Sequence, residues 1–243
     1  MKVFAVGTGC TWFARNNTSF IIDDRILFDT PSGSYKDIIK NTDISKLDGI
    51  IISHFHADHF GDFPVFVTRF MRESEKMGRI ENLKVYGPKS VLDKLIELNT
   101  ILCAAEDERN RELLQKHIDF IDVDDGYEFE LSGYKVTAVR VDHGSVKCFG
   151  YTLTDESGKI ISFTSDTKEC ESLHKILNKS DIAFVDMASI NPAKAHLDSK
   201  RFVELKKEYA NCKMYPVHMS DECREFAQRN KLNVINDFDE III

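Results

Sequence analysis

The segment Ile51-Ile52-Ser53-His54-Phe55-His56-Ala57-Asp58-His59 places three of the chain's eight histidines, with an aspartate, within six consecutive positions. A polar loop of chance composition does not concentrate imidazoles in this way. Imidazole nitrogens and carboxylate oxygens are the ligands that zinc and related divalent ions select. The preceding run, Gly49-Ile50-Ile51-Ile52, reads as a short buried strand, and Gly61-Asp62 opens the next turn. The histidines therefore sit on a loop at the end of a strand, which can hold them rigidly. Along an extended backbone alternate side chains project to one side. His54 and His56 then face one point, while Asp58 and His59 turn toward a second. One ion needs fewer ligands than this, so the density predicts two.

A chain of 243 residues, 42% hydrophobic and 30% charged, is large enough to bury a sizeable core and has an ordinary globular composition. Five prolines, no Gly/Ser tract and no repeat predict a single domain over residues 1–243. The net charge of −8 disfavours a general nucleic-acid binder. It leaves a phosphate substrate open, because bound cations reverse the local field. Cys10, Cys103, Cys148, Cys170, Cys212 and Cys223 form no C-x-x-C pair, which predicts thiols in a reducing cytosol rather than a disulfide framework. The start at Met1–Gly7 is too quickly broken to be a signal peptide, and no stretch reaches the roughly 18 apolar residues of a membrane span. A cytoplasmic protein without membrane contact is expected.

Periodicity predicts strands at 2–6, 19–22, 25–28, 48–52, 84–86, 127–131, 134–141, 149–154, 159–164, 182–186 and 213–217. Asp23-Asp24 reads as a hairpin turn, and Gly87-Pro88 as the stop of the strand at 84–86. Helices are expected at 34–40, 63–77, 89–116, 170–177, 199–209 and 221–229, with a solvated acidic face at 106–108. Two groups of strands, each with helices nearby, give an α/β (α+β) chain arranged as a layered αββα sandwich.

Three later positions repeat the pattern of a polar ligand closing an apolar strand. They are His143 after Val139-Arg140-Val141-Asp142, Asp166 after Ile161–Ser165, and His218 after Met214-Tyr215-Pro216-Val217. Any one of them alone reads as a turn former. Together with the opening cluster they predict a shared metal site. His117 and His174 fit no ligand position and read as structural or surface residues. Arg69, Arg72 and Lys76 on the helix at 63–77 read equally well as phosphate binders or solvated charges.

At this point the chain resembles the metallo-β-lactamase-fold hydrolases, whose hallmark is H-x-H-x-D-H followed by separated His, Asp and His ligands. The likeness runs from Gly7-Thr8-Gly9 through Phe28-Asp29 to Pro216-Val217-His218. It implies a four-layer αββα metallo-β-lactamase-type sandwich holding two divalent ions, zinc before manganese or iron. His54, His56 and His143 would hold the first ion and Asp58, His59 and His218 the second, with Asp166 bridging and Asp29 supporting the ligand histidines from behind. Within the superfamily the chain is most similar to the ribonuclease Z-like phosphodiesterase branch. Ala14–Ser19, His143-Gly144-Ser145-Val146-Lys147-Cys148-Phe149-Gly150-Tyr151 and Phe163-Thr164-Ser165-Asp166-Thr167 resemble its blocks, with Ser165 in place of a glycine. Ala195-His196-Leu197-Asp198-Ser199 aligns with its H-S-T segment, which makes His196 the candidate for binding phosphate or protonating the leaving group. Asp186 in Val185-Asp186-Met187-Ala188 takes the place of a glutamate in that branch's H-E-A-T block.

The resemblance implies a phosphodiesterase acting on a small or nucleotide-like phosphodiester. Water activated between two ions would attack phosphorus, oriented by Asp58, with His196 and Asp186 at the leaving group. Tyr151–Lys159 is a tight connection where many tRNA-processing members carry a long arm, and with the negative charge it disfavours tRNA. The alternatives are a lactone or thioester hydrolase, a tRNA 3′-processing endonuclease and a non-catalytic metal- or nucleotide-binding module. A redox diiron role would need an acid where Ala57 stands. Related enzymes are often homodimers.

Overall fold

The computed structural model describes residues 1–11, 15–103 and 107–243. Ala14 and Glu106 lie outside the described residues, as do the side chains of Asp107 and Glu108, so the acidic face expected there does too. The strands β1 (Lys2–Gly7), β2 (Ser19–Ile22), β3 (Ile26–Phe28), β4 (Gly49–Ile51), β5 (Leu83–Pro88) and β6 (Ile118–Val123) lie in one sheet. A second sheet holds β7 (Glu128–Leu131), β8 (Tyr134–His143), β9 (Val146–Thr154), β10 (Ile160–Phe163), β11 (Ile182–Asp186) and β12 (Lys213–Val217), in the order β12-β11-β10-β9-β8-β7. A final strand, β13 (Glu240–Ile242), returns to pair antiparallel with β1 and makes the first sheet β13-β1-β2-β3-β4-β5-β6.

The period-two alternation of short apolar strands assigns each sheet its faces. Phe20, Ile22, Ile26 and Phe28 point between the sheets, while Ile21 and Leu27 point outward. In the β2–β3 hairpin Asp23 and Asp24 both have positive φ, 48° and 56°. They are the central residues of a turn closed by the Arg25 amide on the Ile22 carbonyl at 2.9 Å, within a three-residue connection that pairs Ile22 with Ile26, and short acidic side chains tolerate that conformation. Between the sheets, Phe163 stacks on Phe184 at 4.8 Å and 6° and on Phe28 at 4.9 Å and 24°, and Phe20 lies 5.1 Å away. Truncating this central ring leaves a void that its neighbours cannot fill. Phe163→Ala is expected to lower stability by about 3–5 kcal/mol, read from the denaturant midpoint at unchanged slope.

Helices cover both outer faces. On the first sheet lie α1 (Tyr35–Asn41), α3 (Phe63–Met77), α4 (Val91–Cys103) and α5 (Asp107–His117), with a single turn, α2 (Ala57–Phe60), ahead of α3. In α3, Phe63, Phe66, Val67 and Phe70 recur at helical spacing and pack on Ile21, Leu27 and Ile50. Pro64 starts this helix, and Gly78 at φ 63° ends it by donating to Ser74 and Glu75 carbonyls. On the second sheet α6 (Glu171–Lys179), α7 (Ser199–Glu208) and α8 (Asp221–Arg229) set Leu173, Phe202, Leu205 and Ala227 against Ala183, Val185 and Met214. The result is the expected four-layer αββα sandwich.

Several elements differ from the sequence expectation. The strand at 84–86 runs on through Gly87-Pro88, paired in parallel with Asp122 and Val123. Gly87 fits there because a Cβ would lie 3.2 Å from the Ile52 side chain. The helix expected at 89–116 is two, α4 and α5. β6, β13 and the single turn α2 lie outside the expected elements; β6 is an edge strand with Asp119 and Asp122 exposed.

The topology sends several strands toward one end of the sandwich. β3, β4 and β5 are mutually parallel, as are β10, β11 and β12. Their carboxyl ends deliver Asp29, His54, Asp166, Asp186 and His218, and antiparallel β8 closes on His143. Crevices outside strand carboxyl ends are where α/β folds place ligands.

Candidate metal centre

The turn of α2 gives the histidine loop its second direction. His54 and His56 precede it in extended backbone, and Asp58 and His59 ride on the helix, with His59 buried. Two groups of side chains result. His54, His56, His143 and Asp166 bring their ligand atoms within 4.8 Å of one another, and so do Asp58, His59 and His218. Asp166 faces both: its carboxylate oxygens lie 3.2 Å from His59 Nε2, 3.3 Å from His218 Nε2 and 3.7 Å from His54 and His143 Nε2. His143 Nε2 is also 3.3 Å from His56 Nδ1. Asp166, His196 and His218 form a third such group.

Backbone strain marks the same positions. Asp29, Ser165 and His218 have φ of 57°, 54° and 56°, the left-handed region that L side chains rarely adopt. The value at Ser165 explains the glycine expected in this block, since glycine takes that conformation without a Cβ clash.

The electrostatics are those of a cation-binding cavity. Burial and neighbouring imidazoles, above all His59, push the His54 ring well below the usual imidazole range. Burial would lower His59 as well, but the charges of Asp166 and Asp29 raise it well above. Asp166 is held well below the carboxylate range against its own burial, chiefly by His218 and His59. Positive charge is therefore favoured between Asp166 and the imidazoles. His54 Nε2, His59 Nε2 and Asp166 Oδ1 are fully buried yet have no hydrogen-bond partner. Orphaned buried polar atoms are costly unless something binds them. Three convergent lone pairs of ligand type fit divalent ions.

The rear of the cluster is hydrogen-bonded. Asp29 accepts from the Ser53 amide, the Ser53 hydroxyl and His59 Nδ1 at 2.7–2.8 Å. His143 Nδ1 donates to the Ala195 carbonyl at 3.0 Å, and the His218 amide donates to Thr18 Oγ1 at 3.1 Å. The partners of the His59 and His143 ring nitrogens fix the tautomer and orientation of those ligand rings. Beside the cluster, His196 Nδ1 is 2.9 Å from Asp186 Oδ2. The His196 ring stacks on His218 at 5.4 Å and meets His143 edge-on at 4.9 Å. Asp186 is fully buried and accepts from the Thr167 and Ala188 amides. Burial alone would lower the His196 pKa, but the bond and charge of Asp186 push it up to about 9.

The structure brings together all seven expected ligands and places Asp29, His196 and Asp186 around them. Ser53, Cys148, Thr18 and the Ala195 carbonyl went unnoticed in the sequence. Cys148 Sγ lies 3.6 Å from His54 Nδ1. Cys148 stands at an unspecified position between His143-Gly144 and Gly150-Tyr151, and a backbone carbonyl leaves no sequence signal at all. His174 bonds to Tyr209 and Glu169, and His117 faces Glu75 at 3.6 Å. Arg69 and Lys76 pair with Glu73 on α3. None of these four belongs to the cluster.

A four-layer αββα sandwich with a His/Asp cluster at its strand ends defines the metallo-β-lactamase fold. The family model described as "Beta-lactamase superfamily domain" matches residues 24–219, and the chain belongs to that superfamily. Among curated relatives, the Ribonuclease Z of Archaeoglobus fulgidus is 34% identical over 168 residues, covering 65% of this chain and 50% of that one. The Ribonuclease Z of Ligilactobacillus salivarius is 33% identical over 54% of this chain and 38% of its own length. The chain thus spans about half the length of the curated relatives it matches, or less. Among solved structures, human tRNase Z, short form, superposes with a TM-score of 0.74 at 18% identity, covering 100% of this chain and 99% of that one. A diphosphatase of the PhnP family gives 0.77 at 18% identity, covering 100% and 97%. These superpositions carry the fold. The expectation that tRNA is disfavoured finds no support here, since the curated relatives are named Ribonuclease Z. Among the described residues no helix is long and apolar enough to cross a membrane.

Proposed function

We propose that this chain is a metal-dependent phosphodiesterase, one domain over residues 1–243, taking a small or nucleotide-like phosphodiester. His54, His56 and His143 would hold one divalent ion and Asp58, His59 and His218 the other, with Asp166 between them and zinc the first choice. Two ions bound there supply Lewis acidity and an activated water. The chain's own residues do the rest. Asp58, with its side chain 15% exposed, is partly open to solvent and would orient the attacking water. Asp29 and Ala195 keep the ligand rings in place. Asp186 holds the proton of His196 Nδ1, so that Nε2–H faces the substrate and can be given to the leaving oxygen.

The observation that carries the phosphodiester reading is the His196–Asp186 pair. A proton donor whose pKa is lifted by a buried carboxylate suits a dianionic transition state and an alkoxide leaving group. Acyl hydrolysis needs no such cation. A second reading, processing of an RNA 3′ end, is supported by the names of the curated relatives. The β9–β10 connection, residues 155–159, is a tight turn in which Asp155 accepts from the Ser157 and Lys159 amides. The test is hydrolysis with added Zn²⁺ or Mn²⁺ of bis-p-nitrophenyl phosphate, a chromogenic lactone, a thioester and a 3′-extended tRNA. Turnover of the phosphodiester is expected. Turnover of the acyl substrates alone overturns the proposal, and turnover of the tRNA alone selects the second reading.

A further inference from the structure

We infer that Ser53 is a positioning residue that ties both halves of the metal cluster to one carboxylate, Asp29. The inference rests on the two-ion reading above and deepens it by naming what sets the His54 ring. Asp29 is buried at the end of β3. One of its oxygens accepts the Ser53 amide at 2.8 Å. The other accepts both the Ser53 hydroxyl and His59 Nδ1, each at 2.7 Å. An ionised carboxylate only accepts, so the Ser53 hydroxyl proton points at Asp29. The serine oxygen then presents a lone pair to His54 Nδ1, 3.1 Å away. That arrangement keeps the His54 proton on Nδ1 and leaves the Nε2 lone pair free, facing Asp166.

The other neighbour of His54 Nδ1 acts in the same sense. Cys148 Sγ, at 3.6 Å, directs its own proton to Ser165 Oγ at 3.4 Å and so offers His54 only an acceptor. His59 reaches the same tautomer by donating directly to Asp29. His54 belongs to the group with His56 and His143, and His59 to the group with Asp58 and His218. A single buried carboxylate therefore orients one ligand in each group, directly in one and through a serine hydroxyl in the other. The hydroxyl sits in the residue immediately before His54, on the strand end that delivers the loop.

The test is Zn²⁺ titration of the full chain against a chromophoric chelator, with circular dichroism to check folding. Wild type is expected to take up two ions in resolvable steps, and His56→Ala identifies the step belonging to its group. Ser53→Ala should weaken that step by roughly ten- to a hundredfold, with a smaller change in the other. Ser53→Thr, which keeps the hydroxyl, should restore it, whereas a packing defect would weaken both steps alike. Nitrogen-edited NMR supplies a readout that does not depend on the alanine variant folding: a protected Nδ1–H of His54 in wild type and in Ser53→Thr. Wild-type affinity for both ions in Ser53→Ala, or absence of that proton signal in wild type, overturns the inference alone. Uptake of fewer than two ions by wild type overturns the two-ion reading and this inference with it.

Discussion

Asp166→Ala is expected to abolish turnover, by at least ~10³-fold or about 4 kcal/mol of transition-state stabilisation, and to bring bound divalent metal below two ions per chain. Asp166 is the carboxylate that faces both ligand groups, within 3.2–3.7 Å of four imidazole Nε2 atoms. Its negative charge would offset the repulsion between two divalent cations held close together. Without it His59 keeps as counter-charges Asp29, on the far side of its ring, and Asp58, 3.9 Å from its Nε2. Removing one partner from a buried charged cluster is costly because the remaining groups are left uncompensated. Metal analysis of the purified variant and a bis-p-nitrophenyl phosphate assay check this. Two ions and near-wild-type turnover would contradict the bridging role.

His196→Ala should behave differently: both ions stay and phosphodiester turnover falls by about 10²–10⁴-fold. His196 leans on His218 and His143 by ring contacts, and its own polar tie is to Asp186 rather than to Asp166. Its loss removes a proton donor and leaves the orphaned ligand atoms where they are. Asp186→Asn should lower turnover in the same direction, because a neutral amide no longer holds the imidazole proton or raises its pKa. Any hydrolysis of a lactone by the same variants should be unchanged. Parallel metal analysis and substrate kinetics separate the cases. Full phosphodiester turnover in His196→Ala would remove the feature that favours phosphodiesters over acyl substrates.

Much of this site could be read from the sequence because its ligands close apolar strands. A run such as Ile50-Ile51-Ile52 or Met214–Val217 fixes a strand, and the polar residue that ends it is where the chain emerges from the core. The second direction taken by Asp58 and His59 followed from clustering alone, and α2 supplies its physical form. What escaped notice acts through backbone or through common residue types. The Ala195 carbonyl that orients His143 belongs to no recognisable residue chemistry, and Ser53 is one serine among many until Asp29 is seen beside it. In the fold, β6 was hidden because Asp119 and Asp122 interrupt its apolar run. They are tolerated there because β6 is an edge strand, with Asp119 bonded to Asn82 and Asp122 to the Ser90 amide. The tail Glu240–Ile242 becomes a strand only by pairing with β1 at the other end of the chain, a contact that no local pattern reports.

On the proposed reading, one cluster holds two divalent ions with Asp166 between them. Anomalous diffraction at the zinc edge, from crystals of the full chain grown with Zn²⁺, tests it most directly. Two anomalous peaks are expected, one among His54, His56 and His143 and one among Asp58, His59 and His218, each in contact with Asp166. A single peak, or peaks only outside these residues, would contradict it.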